Sequence, residues 1–372
     1  MTAVISKRLE LLRSAMTEKP FDAFMVLIAE NRRYLSGFSA TDTQLNESAG
    51  ALFISDRKCI LATDPRYEIQ AGAEAHGYEI FCYREGLAKA LPEICASLQV
   101  ERLGFESDRL TVKQHQEILK KLADKTMDIS LMPAENFVED FRVIKDAEEI
   151  TLTRNALDIA EAAFSKVVKQ LNPGMFEKEI AWLLEKTMRD LGADGMSFPV
   201  IVAAGPNSAR PHAIPGSRRV QTGEPILFDW GAVVNGYCSD TSRTLILGKP
   251  DDTFDKVFRT VAEAQRLAID TIKGGISSKK VDHVARHYIE ANGFKGKFGH
   301  GLGHGTGLAV HEGPVLSPLK DTLLRPGMIV TVEPGIYLPE WGGVRIENQV
   351  VVRENGAEVL NSLDTGPFFY DV

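Results

Sequence analysis

Apolar side chains at Leu9, Leu11, Leu12 and Met16 form a helical stripe, and the apolar run at 23–28 predicts a strand. Two further runs, 51–54 and 59–62, flank Asp56-Arg57 and predict a hairpin. Strands are expected again at 78–83, 103–106 and 129–132, with helical patterns between them. Strands interleaved with helices imply a layered α/β domain. A new pattern starts at Asp146, which with Glu149 three residues on reads as an N-cap and capping box. Apolar positions between Ile150 and Leu171 then recur at helical spacing until Asn172-Pro173-Gly174 stops the helix, and 176–191 predicts another. From Pro199 onward strands dominate, interrupted by helices near 254–272 and 279–291. The break falls between Glu139 and Asp146, giving domains at 1–140 and 141–372.

Composition narrows the classes. A chain of 372 residues exceeds one comfortable core, in keeping with two domains. With 44% hydrophobic and 25% charged residues it is neither disordered nor fibrous. A net charge of −8 argues against a nucleic-acid partner. The longest apolar runs, such as 24–29, are too short to cross a bilayer, so no membrane association is expected. Lys7, Arg8 and Glu10 stand where a signal peptide would have its apolar core. Cys59, Cys82, Cys95 and Cys238 show no paired spacing, as expected of a reduced, cytoplasmic protein.

Candidate chemistry gathers in the second domain. In the run from Pro225 to Asp240, Asn235-Gly236 predicts a two-residue hairpin turn. Counting outward from it sets Val234 against Tyr237 and Gly231 against Asp240, so Asp229 and Asp240 become diagonal neighbours on one face. No Lys or Arg in the hairpin neutralises them before Arg243, which points to a metal ion. A second cluster, Gly299 to His311, alternates glycine from Gly299 to Gly307, so that His300, His304 and Thr306 share a face of an extended chain. Three histidines in so short a glycine-rich stretch favour metal or acid–base work. His283 and His287, four apart on a helix, lack the glutamate of the metalloprotease helix signature at Val284 and read as a solvated face. The third cluster pairs Glu333, inside an apolar run, with Arg345 and Glu347 on one strand face. Asp229, Asp240, His304, Glu333 and Glu347 together suit hard or borderline divalent ions, and four carboxylates could neutralise two.

The ordered segments Phe228-Asp-Trp-Gly, Ser239-Asp-Thr-Ser-Arg-Thr, Gly303-His-Gly-Thr-Gly-Leu, Val332-Glu-Pro-Gly and Val344-Arg-Ile-Glu-Asn resemble the pita-bread-fold metallopeptidases. That group holds methionine aminopeptidases, Xaa-Pro aminopeptidases and prolidases. Asn31-Arg-Arg-Tyr-Leu-Ser-Gly-Phe38 and Thr63-Asp-Pro-Arg-Tyr67 resemble the creatinase-type domain of the Xaa-Pro branch, which methionine aminopeptidases usually lack. The resemblance implies an α/β creatinase-type N-terminal domain followed by an α+β pita-bread catalytic domain. It implies two divalent ions, Mn first with Co or Zn as alternatives. Asp229 would chelate one, His304 and Glu333 the other, and Asp240 and Glu347 would bridge both. Glu333 would also shuttle a proton, with His212 and His311 stabilising the tetrahedral intermediate. His300 would contact substrate, and Arg345 would orient the carboxylates. Trp230 departs from the family's common Phe without touching the ligand set.

The resulting expectation is a metallo-exopeptidase acting on short peptides with proline second, as a homodimer. Xaa-Pro aminopeptidase is preferred over Xaa-Pro dipeptidase. The rivals are a metal-free amidinohydrolase of the same fold and a binding module without activity. An intact five-ligand set speaks against both.

Overall fold

The computed structural model describes residues 2–42, 44 and 47–370. The chain divides into two compact units, Met1–Arg142 and Val143–Val372.

In the first unit, strands β1 (Ala23–Val26), β2 (Ala51–Ser55), β3 (Cys59–Thr63), β4 (Glu79–Cys82), β5 (Arg102–Glu106) and β6 (Ser130–Ala134) form one sheet in the order β4-β3-β2-β1-β5-β6. The hairpin expected around Asp56-Arg57 is the antiparallel β2–β3 pair. Strand β2 alone runs against the other five. Two amphipathic helices, Leu87–Leu98 and Val112–Asp124, cover one face. Their Leu91, Ile94, Ile118 and Leu122 bury against Met25, Phe53, Ile60 and Phe105.

The second unit opens with helix α1 (Ala147–Val167), whose capping box is formed as expected: Asp146 accepts from the Glu148 and Glu149 amides, and Glu149 accepts from the Asp146 amide. With α2 (Glu177–Asp190) it backs a four-stranded sheet that includes β7 (Ile201–Ala204), β8 (Pro225–Trp230) and β9 (Thr241–Leu247). Trp230 belongs to that core. It stacks on Phe164 at 4.5 Å, and its Nε1 donates to the Ala160 carbonyl. Helices α3 (Asp252–Thr271) and α4 (Ser278–Ile289) back a five-stranded sheet. That sheet includes β10 (Gly303–Gly305), β11 (Glu312–Leu316), β12 (Ile329–Val332) and β13 (Asn348–Arg353). A separate hairpin joins β14 (Gly335–Leu338) to β15 (Gly342–Arg345). The two sheets are stitched where the Glu347 amide donates to the Ser242 carbonyl at 3.1 Å. Buried Arg243 strengthens the seam, donating to carbonyls of Ser242, Glu347, Leu363 and Asp364. Among the described residues no helix is long and apolar enough to cross a membrane.

Candidate metal centre

The hairpin built on Asn235-Gly236 has the expected register. Val234 faces Tyr237, and further out Trp230 faces Thr241 and Asp229 faces Ser242. Asn235 and Gly236 both have positive φ, 47° and 81°, which the turn requires. At Gly231 the strands approach so closely that a Cβ would lie 1.9 Å from the Ser239 carbonyl oxygen. This close pairing sets Asp229 and Asp240 side by side at the seam.

The glycine-rich segment brings the third ligand type. Strand β10 crosses β12 closely enough that a Cβ at Gly303 would lie 2.0 Å from the Thr331 carbonyl oxygen. A register shift between His304 and Gly305 breaks the alternation that the glycine spacing suggests. His304 therefore lines the cavity, whereas buried Thr306 meets Gln349, accepting from its Nε2 at 2.6 Å. Gln349 Oε1 accepts in turn from the Asp240 amide at 3.0 Å, which pins that carboxylate's backbone.

Asp229, Asp240, His304, Glu333 and Glu347 converge on one cavity of about 460 Å³, together with His212, His300, His311 and Arg345. Ligand atoms of Asp240, His304 and Glu347 lie within 4.8 Å of one another. The structure thus brings together every site residue named from the sequence. His283 and His287 are outside the cavity, stacked 5.6 Å apart on α4.

The electrostatics call for cations. His304 Nδ1 faces the Gly305 carbonyl at 3.1 Å, an acceptor, so Nδ1 carries the proton and the Nε2 lone pair points into the cluster. There it meets Asp240 Oδ2 at 3.6 Å and Glu333 Oε1 at 3.4 Å. Burial, with His311 beside it, pushes His304 down to about 4, so it is not the missing positive charge at neutral pH. Burial and the neighbouring Glu347 hold Asp240 well above the usual carboxylate range, and burial and Glu333 do the same to Glu347. Burial pushes Glu333 up to about 8 against the pull of Arg345. Among the described residues lining the cavity, Arg345 is the one Lys or Arg facing the four carboxylates, with Nη2 2.6 Å from Asp229 Oδ2. The other oxygen, Asp229 Oδ1, is buried with no hydrogen-bond partner. An orphan carboxylate oxygen and a histidine lone pair aimed at two carboxylates are the donor set of a divalent-metal site.

Three residues that shape the site were not singled out from the sequence. Ser242 accepts from Arg345 Nε and donates to Glu347 Oε2. It was legible in principle, because the hairpin register puts it opposite Asp229. Gln349 and Tyr337 act across segments distant in sequence, and no local pattern marks them. Phe198, Val200, Ile201, Ile214 and Val315 supply apolar wall to the cavity. Of the assigned roles, His300 fits its own least simply: Nδ1 faces the Gly301 carbonyl at 2.8 Å and Nε2 the Tyr337 hydroxyl at 2.9 Å.

Comparison with known proteins agrees in both halves. Residues 151–354 match Metallopeptidase family M24, and 8–144 match the Creatinase/Prolidase N-terminal domain. The chain is 32% identical to an Xaa-Pro dipeptidase of Pyrococcus furiosus, over 97% of this chain and 99% of that protein. Among solved structures it resembles an Xaa-Pro dipeptidase from Bacillus anthracis, with TM-score 0.90 and 37% identity, covering 98% of this chain and 99% of that one. It also resembles an X-Pro aminopeptidase from Thermotoga maritima, with TM-score 0.86 and 36% identity, covering 98% and 100%.

Proposed function

The chain belongs to metallopeptidase family M24, with a creatinase-type N-terminal domain and a pita-bread catalytic domain, and from that premise we propose that it removes the first residue from peptides with proline second. That it is a metallo-exopeptidase follows from the family and its relatives. The observation that carries the metal reading is the pairing of orphaned Asp229 Oδ1 with the His304 lone pair inside a surplus of carboxylates. Asp229 would hold one ion, His304 and Glu333 a second, and Asp240 and Glu347 both. When bound, such ions neutralise the carboxylates, polarise the scissile carbonyl and make water nucleophilic at neutral pH. Mn suits the oxygen-rich set best, with Co and Zn as alternatives.

The protein's own groups do the rest. Glu333, which lines the cavity, can hold at its carboxylate the proton taken from the attacking water and return it to the leaving nitrogen. His212 and His311 line the cavity and donate to the carbonyl oxygen as it gains charge. Arg345 fixes Asp229. The apolar wall of Phe198, Val200 and Ile214 suits a pyrrolidine ring, whose nitrogen has no N–H to satisfy.

Aminopeptidase is preferred over dipeptidase for one reason. A dipeptidase must anchor proline's free carboxylate. Among the described residues lining the cavity, Arg345 is the one Lys or Arg, and it is committed to Asp229, Ser242 and Tyr337. With no spare cation there, the cavity suits a chain that continues. The four cysteines form no disulfide, which fits a cytoplasmic enzyme, and the partner expected for the chain is a second copy. Light scattering returning the 41.0 kDa mass of a single chain at micromolar concentration would exclude the dimer. The specificity test compares an Xaa-Pro dipeptide with an Xaa-Pro-Xaa tripeptide in the presence of Mn. Faster release from the tripeptide is expected. Cleavage of the dipeptide alone overturns the aminopeptidase reading, and equal cleavage of Xaa-Ala peptides overturns the proline reading.

A further inference from the structure

Helix α4 has two unlike sides. On its inner side Asp282 and Arg286 pair at 2.7 Å and grip the glycine-rich loop. Asp282 Oδ1 accepts from the Leu302 amide, and Arg286 donates to the Phe298 and His300 carbonyls. On its outer side His283, His287 and Glu290 are all exposed. Spaced i, i+4 and i+7, they fall within an arc of about 60° on a helix of 3.6 residues per turn. Glu290 keeps helical backbone angles, φ −64° and ψ −42°, so it continues that face beyond the last residue of α4.

The two imidazoles stand close to chelating distance. An ion bound to one nitrogen of each ring at Zn–N lengths of about 2.0–2.1 Å holds the ring centroids about 4.5–5.2 Å apart. The rings of His283 and His287 are 5.6 Å apart and 19° from parallel. Small rotations of two exposed side chains close that gap. Among the described residues neither ring and not the Glu290 carboxylate is held in a hydrogen bond or an ion pair. Side chains on a helix lean toward its N-terminus, which carries the Glu290 carboxylate back toward the pair. Asp282 is no competitor, being taken up by Arg286 and Leu302. Two imidazoles and one carboxylate suit a borderline ion such as Zn, Ni or Cu, whereas the carboxylate-rich cavity suits Mn.

We propose that His283, His287 and Glu290 form a further metal site on the outer face of α4, separate from the cavity, which takes one borderline transition-metal ion through two imidazole nitrogens and a carboxylate oxygen. Water fills the remaining positions. The site rests neither on the exopeptidase reading nor on the number of ions the cavity holds.

The test compares the Mn-loaded protein with the double variant His283→Ala, His287→Ala. Both positions are exposed and alanine is the better helix former, so the variant is expected to fold. Elemental analysis should find the same Mn content in the two proteins, and loss of Mn from the variant would overturn the separation of the site from the cavity. After dialysis against micromolar free Zn, the unmodified protein is expected to hold about one Zn per chain more than the variant. Zn that enters the cavity or meets a cysteine counts equally in both, so the difference reports α4 alone. Equal Zn contents would overturn the proposal. In Glu290→Gln the affinity for Zn should fall at least about tenfold, and an unchanged affinity would overturn the three-ligand set. A protein that takes up no Mn, or cleaves no Xaa-Pro peptide, would sink the reading of the cavity and leave the Zn comparison to decide this site.

Discussion

Both units bury charged side chains, and they balance them differently. In the N-terminal unit the guanidinium of fully buried Arg32 donates to both oxygens of Asp42 and to the carbonyls of Leu27 and Ala40. Arg109 brings a second cation to Asp42 at 3.1 Å. Glu106 covers the start of helix Ala29–Ser36, accepting from the Leu27 and Ile28 amides and from Asn31 at 2.6 Å each, and Asn31 accepts in turn from Arg142. In the catalytic unit, among the described residues lining the cavity, four carboxylates face the single guanidinium of Arg345. Depth of burial does not separate the two clusters, since Asp240 is 5% exposed and Glu106 3%. The deficit of positive charge does. A buried ionic cluster whose charges are matched from within is architecture; one that the chain leaves short of cations is built around something the chain does not supply.

The sharpest way to test that contrast is to remove one acid from each cluster. Glu347→Ala is expected to cut turnover at least about a thousandfold, equivalent to several kcal/mol of transition-state stabilisation. It should also remove bound metal, counted by elemental analysis, with little change in fold. Two ions per chain retained in this variant would refute the ligand assignment. Asp42→Ala should do the reverse. It strands buried Arg32, with Arg109 beside it, at a cost of about 3–5 kcal/mol read from denaturant unfolding, while the variant that still folds keeps its metal. Loss of metal from Asp42→Ala would show that the two clusters are not independent.

Much of the catalytic unit was legible because its signals are local. The Asn235-Gly236 turn sets a register that a count of residues carries out to Asp229 and Asp240. A capping box announced α1, and apolar runs located every strand of the N-terminal sheet to within a few residues. The order β4-β3-β2-β1-β5-β6 was not legible, since pairing partners come from across the chain. The shared face expected for His300, His304 and Thr306 failed at a point no spacing reveals, the register shift after His304, which turns Thr306 to Gln349. Gln349 and Tyr337 stayed hidden for a related reason: they act through contacts with residues far away in sequence. The carboxylates could be read individually, but their shortage of cations became visible only once Arg345 was seen to be the sole guanidinium among the described residues lining the cavity.

A pH experiment separates the clusters on a smaller scale. Burial pushes Glu106 up to about 7, above the ordinary carboxylate value of 4.5. A folded state that binds the proton more tightly than the unfolded state loses stability as pH rises between those two values. This contribution is therefore fully present below 4.5 and gone above about 7. Glu106→Gln keeps an oxygen for the two backbone amides and cannot ionise. It should flatten the fall in unfolding free energy between pH 4.5 and 7 by about 2–3 kcal/mol. An unchanged slope would mean that other groups produce it.

The smallest effect tests the comparison by its sign. In the metal-free protein Asp240 is buried beside Glu347, Asp229 and Glu333, and burial and these neighbours hold it well above the usual range. A carboxyl raised in this way destabilises the fold above its unfolded pKa, since it must either repel its neighbours or hold a proton it would otherwise release. Asp240→Asn removes that cost without changing shape, and its amide gains an N–H that can donate to a neighbouring carboxylate. With chelator present, the variant should therefore be more stable than the unmodified protein by about 1 kcal/mol at pH 7.5, the opposite of what Asp42→Ala does. Mn should then reverse the order. At a hundred times its dissociation constant a ligand adds about 2.7 kcal/mol to a fold that binds it, and the variant, short of one carboxylate, should gain far less. Thermal melts with and without Mn are expected to cross in rank. If Asp240→Asn melts lower than the unmodified protein in chelator, the carboxylates of the catalytic unit are matched from within after all, and charge deficit does not distinguish the two clusters.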